Sequence, residues 1–277
     1  MKKIIALTLS LIMVFALCAC GTSATTSSAA SSNTLVFGTS ADYAPFEFMY
    51  KNDKGDMEYA GIDVDVAKFI AEDMGKELQI ENMSFDYLLV ALQKGDYDMV
   101  LAAMEDTEER EEAADFSDPY YQDIPALILI KKDKADTLKT LADFDGLTVG
   151  AQTATTKADM VTEMMPGATL QTLANVNDLI NELVYDKLDA VLLDGAVALA
   201  ACETNDELVT SDASSELGEA APYCVAVAKG DPKGLLPAIN AAIAKITSTQ
   251  TAEWVESANA LVDSGVAEEV SVDAPEA

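Results

Sequence analysis

The stretch MVLAAMEDTEEREEAADFSDPYY, residues 99–121, carries Arg110, the only arginine among 277 residues in a chain whose other basic side chains are all lysine. A guanidinium presents a rigid fork of N–H donors that matches a carboxylate, and it keeps its charge in nearly any surroundings. Arg110 is therefore a candidate carboxylate clamp. The acidic run around it, Glu108-Glu109-Arg110-Glu111-Glu112, also fits a solvated helical face with weak i,i+4 pairs. What flanks the run separates the two readings.

On its N-terminal side, residues 98–103 read as an apolar strand ending in small residues, and Asp106-Thr107-Glu108-Glu109-Arg110 as a turn. On its C-terminal side stands Ala114-Asp115-Phe116-Ser117-Asp118-Pro119-Tyr120-Tyr121. This succession resembles the polar amino-acid binding proteins of ABC importers, the bacterial extracellular solute-binding proteins of family 3, in which an I-T-x-x-R turn precedes a phrase close to V-D-F-S-D-P-Y-Y. The resemblance implies an α/β, two-lobed periplasmic-binding-protein-like fold of type II with two hinge crossings. It gives Arg110 the grip on the α-carboxylate of a bound amino acid and places Ala103 beside that ligand. Glu105 departs from the pattern, because relatives usually carry Thr or Ser there, donating a hydrogen bond to the carboxylate. Three arrangements relieve the repulsion a glutamate would cause: it turns to Arg110, it points to solvent, or it meets a second positive charge on the ligand. The last would make the ligand cationic.

The chain opens with Met1-Lys2-Lys3, an apolar run over residues 4–17, and Leu17-Cys18-Ala19-Cys20-Gly21. This is the layout of a secretory leader, and the run of about 14 residues is too short for a bilayer that needs about 20. A leucine three residues before a cysteine resembles the lipobox of bacterial lipoproteins, which makes residues 1–19 the leader and Cys20 the lipidated mature N-terminus. Ser, Thr and Ala dominate the segment to residue 33, without charge or aromatic residue, so residues 20–33 read as a flexible tether. The expected localisation is extracytoplasmic, lipid-anchored to the cell membrane.

Half the chain is apolar, so it buries a core, and the length beyond the tether suits two lobes better than one. A formal charge of −31, two units more negative once the leader's lysines are gone, excludes nucleic acid and unaided adsorption to anionic lipid. Cys202 and Cys224 carry no spacing signature, so a disulfide between them stays open in an exported protein, and two buried thiols are the preferred reading.

Residues 34–40 read as a first buried strand leading into Ala41-Asp42-Tyr43-Ala44-Pro45-Phe46-Glu47-Phe48, close to the family's Y-P/A-P-F-E-F. Proline fixes that loop at the strand's C-terminal edge, where open α/β sheets bind ligands. The resemblance makes Tyr43 a ligand cover, while Phe48 reads as core. Residues 52–56 form a hairpin turn by composition. Asp63 is a good N-cap for a helix over 64–74, residues 78–83 read as a strand, and 85–95 as a helix closed by Gly95, with Phe85 at its ligand-side entry.

The strand reading of 124–130 follows a first hinge crossing at 120–127. A second unit then begins, with a strand at 147–150, a loop at 151–157 and a helix from 156 to 165. Relatives carry V-G-x-Q-x-G-T-T here, which gives Thr155, Thr156 and the first amides of the helix to the ligand carboxylate, as helix N-termini allow. Residues 176–185 are an amphipathic helix, and 187–194 match G-x-x-D-A-V-x-x-D. Asp189 is structural on that match, and Asp194 accepts the ligand's α-ammonium. Residues 220–228 return through the second hinge to closing helices at 235–246 and 251–261, with Trp254 in the core. The lobes are then 34–122 with 224–277, and 123–223.

There is no histidine, so histidine-based acid, base and zinc chemistry is absent. No nucleophile elbow or phosphate loop is present. The expected function is binding, without enzyme activity, cofactor or metal: a monomer that takes up an amino acid by hinge closure and delivers it to the permease subunits of an ABC importer. A signalling co-receptor and a dehydratase-like enzyme on the same fold are the alternatives. The pocket's scattered loops leave the amino acid itself open.

Overall fold

The computed structural model describes residues 33–268. The leader, Cys20 and all of the tether except Asn33 lie outside the described residues.

Strand β1 (Thr34–Thr39) lies parallel between two later strands, with Phe37 opposite Ile80 of β5 (Glu77–Asn82) and Met99 of β6 (Met99–Val100). β7 (Ala114–Tyr121) and β13 (Tyr223–Ala228) complete this sheet antiparallel to each other, in the order β5-β1-β6-β13-β7. Between Tyr121 and Tyr223 the chain builds a second sheet from β8 (Leu127–Lys131), β9 (Thr148–Gln152), β10 (Thr169–Leu173), β11 (Ala190–Leu193) and β12 (Leu208–Thr210). Its order is β10-β9-β11-β8-β12, with β8 antiparallel to both neighbours. Two passages between two sheets make the α/β, two-lobed architecture. A small antiparallel sheet of β2 (Asp42–Tyr43), β3 (Glu47–Lys51), β4 (Met57–Ala60) and β14 (Ala267–Glu268) stands beside the first. Its β3–β4 hairpin closes as composition predicts, Asn52 Oδ1 accepting from the N–H groups of Lys54 (2.9 Å) and Asp56 (3.0 Å).

Helix α1 (Ile62–Asp73) corrects the capping assignment. The helix begins earlier, with Gly61 as N-cap at φ 119°, where a Cβ would stand 2.1 Å from the Phe46 carbonyl oxygen. Asp63 is fully buried instead, accepting from the Ala103 N–H at 2.7 Å and the Tyr120 hydroxyl at 2.8 Å. A carboxylate with two donors from distant segments serves as a tertiary tie, and burial pushes its pKa up to about 6. α2 (Phe85–Lys94) ends, as expected, at Gly95 in the left-handed conformation.

The four-residue α3 (Glu108–Glu111) forms where the sequence reads as a turn, and α4 (Thr156–Met164) and α5 (Val176–Val184) fall close to their sequence positions. α6 (Gly195–Thr204) was not anticipated. α7 (Leu236–Ile243) packs on α1 and β7, and α8 (Ser248–Asp263) on α1 and α6.

Smaller corrections are local. The strand expected over 98–103 ends at Val100, because the backbone turns through Ala103 at φ 44°. Trp254 is half-buried, its ring 6.0 Å from that of Phe69, rather than central to the core. Cys202 and Cys224 are both free thiols, but only Cys224 is fully buried.

Candidate ligand site

The C-terminal ends of β1, β6, β9 and β11 bring their loops to one cavity, the location that strand polarity favours in open α/β sheets. Tyr43, Phe85, Ala103, Glu105, Arg110, Thr155, Thr156 and Asp194, the eight ligand-site candidates named from sequence, all line it. Ser40, Asp42, Glu47, Ala102, Gln152 and Lys157 join them without having been singled out.

One wall comes from the first sheet. Thr107 caps α3 by accepting the Arg110 N–H at 3.2 Å, which places the arginine side chain over the cavity. Arg110 Nη1 donates to the Glu105 carbonyl at 2.8 Å and Nη2 to the Ala154 carbonyl at 3.4 Å, and the guanidinium lies 5.3 Å from the Phe85 ring centroid. Its partners among these contacts are carbonyls and a π face, with no carboxylate. Burial pulls its pKa below that of a free guanidinium, yet it stays protonated.

The other wall is the N-terminus of α4 and the end of β11. Ala154 takes the left-handed conformation at φ 61°, and Thr155 caps α4 while its hydroxyl donates to the Gln152 carbonyl at 2.7 Å. Asp194 follows β11 directly. It accepts from the Tyr43 hydroxyl at 2.6 Å and from Lys157. Burial, reinforced by the charge of Asp194, pushes the Tyr43 pKa well up, so Tyr43 remains a donor.

Lys157 is the feature sequence reasoning missed. Its side chain is 6% exposed, and lysine is almost never buried this deeply unless it is paired. Nζ meets Glu105 Oε1 at 2.9 Å, Thr156 Oγ1 at 3.3 Å and Asp194 Oδ1. Three acceptors match the three N–H bonds of an ammonium. Burial opposes the charge, but Asp194 and Glu105 outweigh it and hold the pKa above that of an ordinary lysine. One signal was legible: Lys157 is the second residue of α4, where the helix dipole disfavours a cation.

Glu105 follows none of its three expected arrangements. It is buried, its carboxylate taken by Lys157 and the Thr156 hydroxyl, and only its backbone carbonyl meets Arg110. Asp42 accepts the Val176 N–H at 2.8 Å at the start of α5, and burial raises its pKa to about 6. Glu47 is pushed well above the ordinary carboxylate range by burial and then by the Asp63 charge. Asp189, read as structural, accepts the Thr148 N–H at 2.8 Å away from the cavity.

About 20 Å³ remains between these groups, room for little more than one water. A wider chamber of about 480 Å³ adjoins it, sharing Phe85, Arg110 and Thr156 and edged by Asp86, Glu108, Glu109 and Asp159. Among the described residues no group of side chains is arranged to hold a metal, and no helix is long and apolar enough to cross a membrane.

Residues 35–257 match the bacterial extracellular solute-binding proteins, family 3. The chain belongs to this family. It is 36% identical over 221 residues to the arginine-binding extracellular protein ArtP of Bacillus subtilis (strain 168), covering 78% of this chain and 83% of the relative. It is 30% identical over 266 residues to the ABC transporter glutamine-binding protein GlnH of the same organism, covering 90% and 93%. An amino acid ABC transporter substrate-binding protein from Streptococcus pneumoniae, solved bound to L-arginine, superposes with a TM-score of 0.78 at 34% identity, covering 82% of this chain and 94% of that one. The two-lobed solute-binding fold expected from the motifs is thus the fold of the family. Family 3 members with names as different as arginine and glutamine binders lie at comparable identity.

Proposed function

We propose that this solute-binding protein takes an amino acid between its lobes by hinge closure and hands it to the permease subunits of an ABC importer. The observation that carries the reading is a fixed cation, Arg110, and a fixed anion, Asp194, on opposite walls of one cavity. An amino acid offers the complementary pair of charges at a constant separation. The N-terminal amides of α4, where Thr155 and Thr156 stand, add donors for its carboxylate, and Tyr43 and Phe85 supply apolar cover. The lobes are 34–122 with 224–277, and 123–223, and the protein works as a monomer, without a cofactor.

Glu105 is already paired with Lys157, so it argues for no charge on the ligand's side chain. The ligand is best found by a thermal-shift panel of cationic, neutral and acidic amino acids. A rise with one or a few of them is expected, and no shift with any would refute the reading. Recovery of the ligand chemically unchanged distinguishes binding from a dehydratase-like activity.

Anchoring through a lipid on Cys20 completes the proposal. Nothing in the tether has affinity for a bilayer, so Cys20→Ala is expected to release the protein from the membrane fraction. Retention of that variant would exclude the anchor.

A further inference from the structure

Lys157 poses a question that the function above does not answer. In an amino-acid site, the groups reserved for the ligand's ammonium are carboxylates, and here two of those that line the cavity, Glu105 and Asp194, already hold one. Neither belongs to the element that carries Lys157: Glu105 follows β6 in the first lobe, and Asp194 follows β11 in the second. Nζ is therefore buried at the meeting point of both walls, with every N–H engaged. Arg110 on the same cavity is answered by backbone carbonyls rather than by a carboxylate. The protein thus provides its own cation at the carboxylate pair and leaves its guanidinium to neutral partners.

We propose that Lys157 is a built-in competitor for the ligand's ammonium group, and so a determinant of both affinity and selectivity. The proposal rests on reading the cavity as an amino-acid site. An incoming α-ammonium needs Asp194, and it reaches that carboxylate only by displacing Nζ. The displaced ammonium keeps Glu105, to which it is already bonded, so it does not have to return to bulk water. Glu105, which would otherwise repel the ligand's carboxylate, is thereby neutralised by a charge of the protein's own.

A tethered group competes at an effective concentration on the order of millimolar or above, without any loss of translational freedom. The competition therefore weakens every ligand that has an α-ammonium. It leaves untouched a ligand that binds through its carboxylate and side chain alone. Such a competitor also works across the cleft, since Nζ bonds one residue from each lobe.

The test uses the full chain and four probes: L-arginine, L-glutamine and the desamino form of each, in which hydrogen replaces the α-ammonium. Calorimetry compares wild type with Lys157→Met, a side chain of similar length without charge. A second, charge-balanced variant, Lys157→Met with Glu105→Gln, leaves one carboxylate in place and guards against misfolding of the first; circular dichroism confirms the fold of both. The expected result is at least tenfold tighter binding of whichever amino acid wild type binds, with the desamino forms changed by less than threefold in the charge-balanced variant, where Glu105→Gln removes the repulsion of their carboxylate. Equal or weaker binding of the amino acid by the folded variants overturns the proposal, as does an equal gain for amino acid and desamino form, which would mean that Lys157 only occupies space. If wild type binds an amino acid and the variants fail in this way, the amino-acid reading stands and only the competitor falls. If neither wild type nor either folded variant binds any probe or any member of the amino-acid panel, both fall together.

Discussion

Replacing Arg110 tests the carboxylate grip most directly. In the structure its side chain makes one good hydrogen bond to the protein, Nη1 to the Glu105 carbonyl at 2.8 Å, and one long one, Nη2 to Ala154 at 3.4 Å. The guanidinium is therefore held in place by weak ties that leave N–H donors for a ligand. A bidentate pair with a carboxylate adds two charge-assisted bonds worth about 1.5–3 kcal/mol each. Arg110→Ala forfeits them and leaves the anion facing a cavity without its cation. A net loss of about 3–4 kcal/mol follows, a weakening of roughly 100-fold to 1,000-fold. Arg110→Lys restores the charge without the fork and should recover less than about tenfold of this.

The assay is calorimetry with the tightest amino acid of the panel and with its C-terminal amide, which keeps every group except the anion. Wild type should prefer the acid strongly, and Arg110→Ala should lose most of that preference, because the cation that reads the carboxylate is gone and only the amides of α4 remain to distinguish acid from amide. If the alanine variant weakens acid and amide equally, Arg110 shapes the cavity without reading the carboxylate. If the lysine variant binds like wild type, the geometric argument for arginine is wrong.

Stability should fall as pH rises toward neutrality. Asp42 and Asp63 titrate near pH 6 in the fold and near the ordinary carboxylate value when unfolded, so between those values the native state holds the extra protons. Their stabilisation is complete below the unfolded value and lost above about 6, and Glu47, also raised by burial, acts in the same direction. A shift of about two units corresponds to on the order of 3 kcal/mol at most for each group. The melting temperature should accordingly be higher at about pH 5 than at about pH 7.5; an unchanged or lower value at the acid end would contradict the burial assigned to these carboxyls. Gly61→Ala should cost more than about 2 kcal/mol, because φ is 119° and the new Cβ meets the Phe46 carbonyl oxygen at 2.1 Å. Gly75→Ala, also at positive φ but with open space around it, should cost clearly less in the same urea titration, and equal losses would show that the close approach is not what Gly61 serves.

What the sequence made legible was local or anomalous. Arg110 stood out as one arginine among lysines, the Asn52 turn follows from its side chain, and Gly95 ends α2 because glycine tolerates positive φ. Asp63 misled because a carboxylate near a helix start is usually a cap, whereas here Ala103 and Tyr120, distant in sequence, claim it. α6 escaped notice because GAVALAACET is apolar on most of its circumference and has no polar face to mark a period. Lys157 was missed for a related reason. The partners that make its position tolerable come from residues 105 and 194, and only folding brings those two together.

The polarity of the cavity suits the hinge opening proposed for it. A closed pair of apolar walls would be held together by about 25 cal/mol for each Å² removed from water, a gain that opening would forfeit in full. Buried ion pairs behave differently: the cost of desolvating each ion offsets most of the attraction, so the net worth of closing on them is small and either sign is within reach. Around the ligand cavity the contacts that join the two sides are polar, one of them an ion pair, whereas away from it α6 and α8 pack through apolar side chains. Tyr43 donates to Asp194, Lys157 and Thr156 donate to Glu105, Asp42 accepts from the Val176 N–H, and Arg110 donates to the Ala154 carbonyl. Each of these groups finds water as a substitute partner when the lobes part. These polar contacts thus specify geometry at the cavity while contributing little net free energy of their own, and a ligand that adds a few charge-assisted bonds bears directly on the balance.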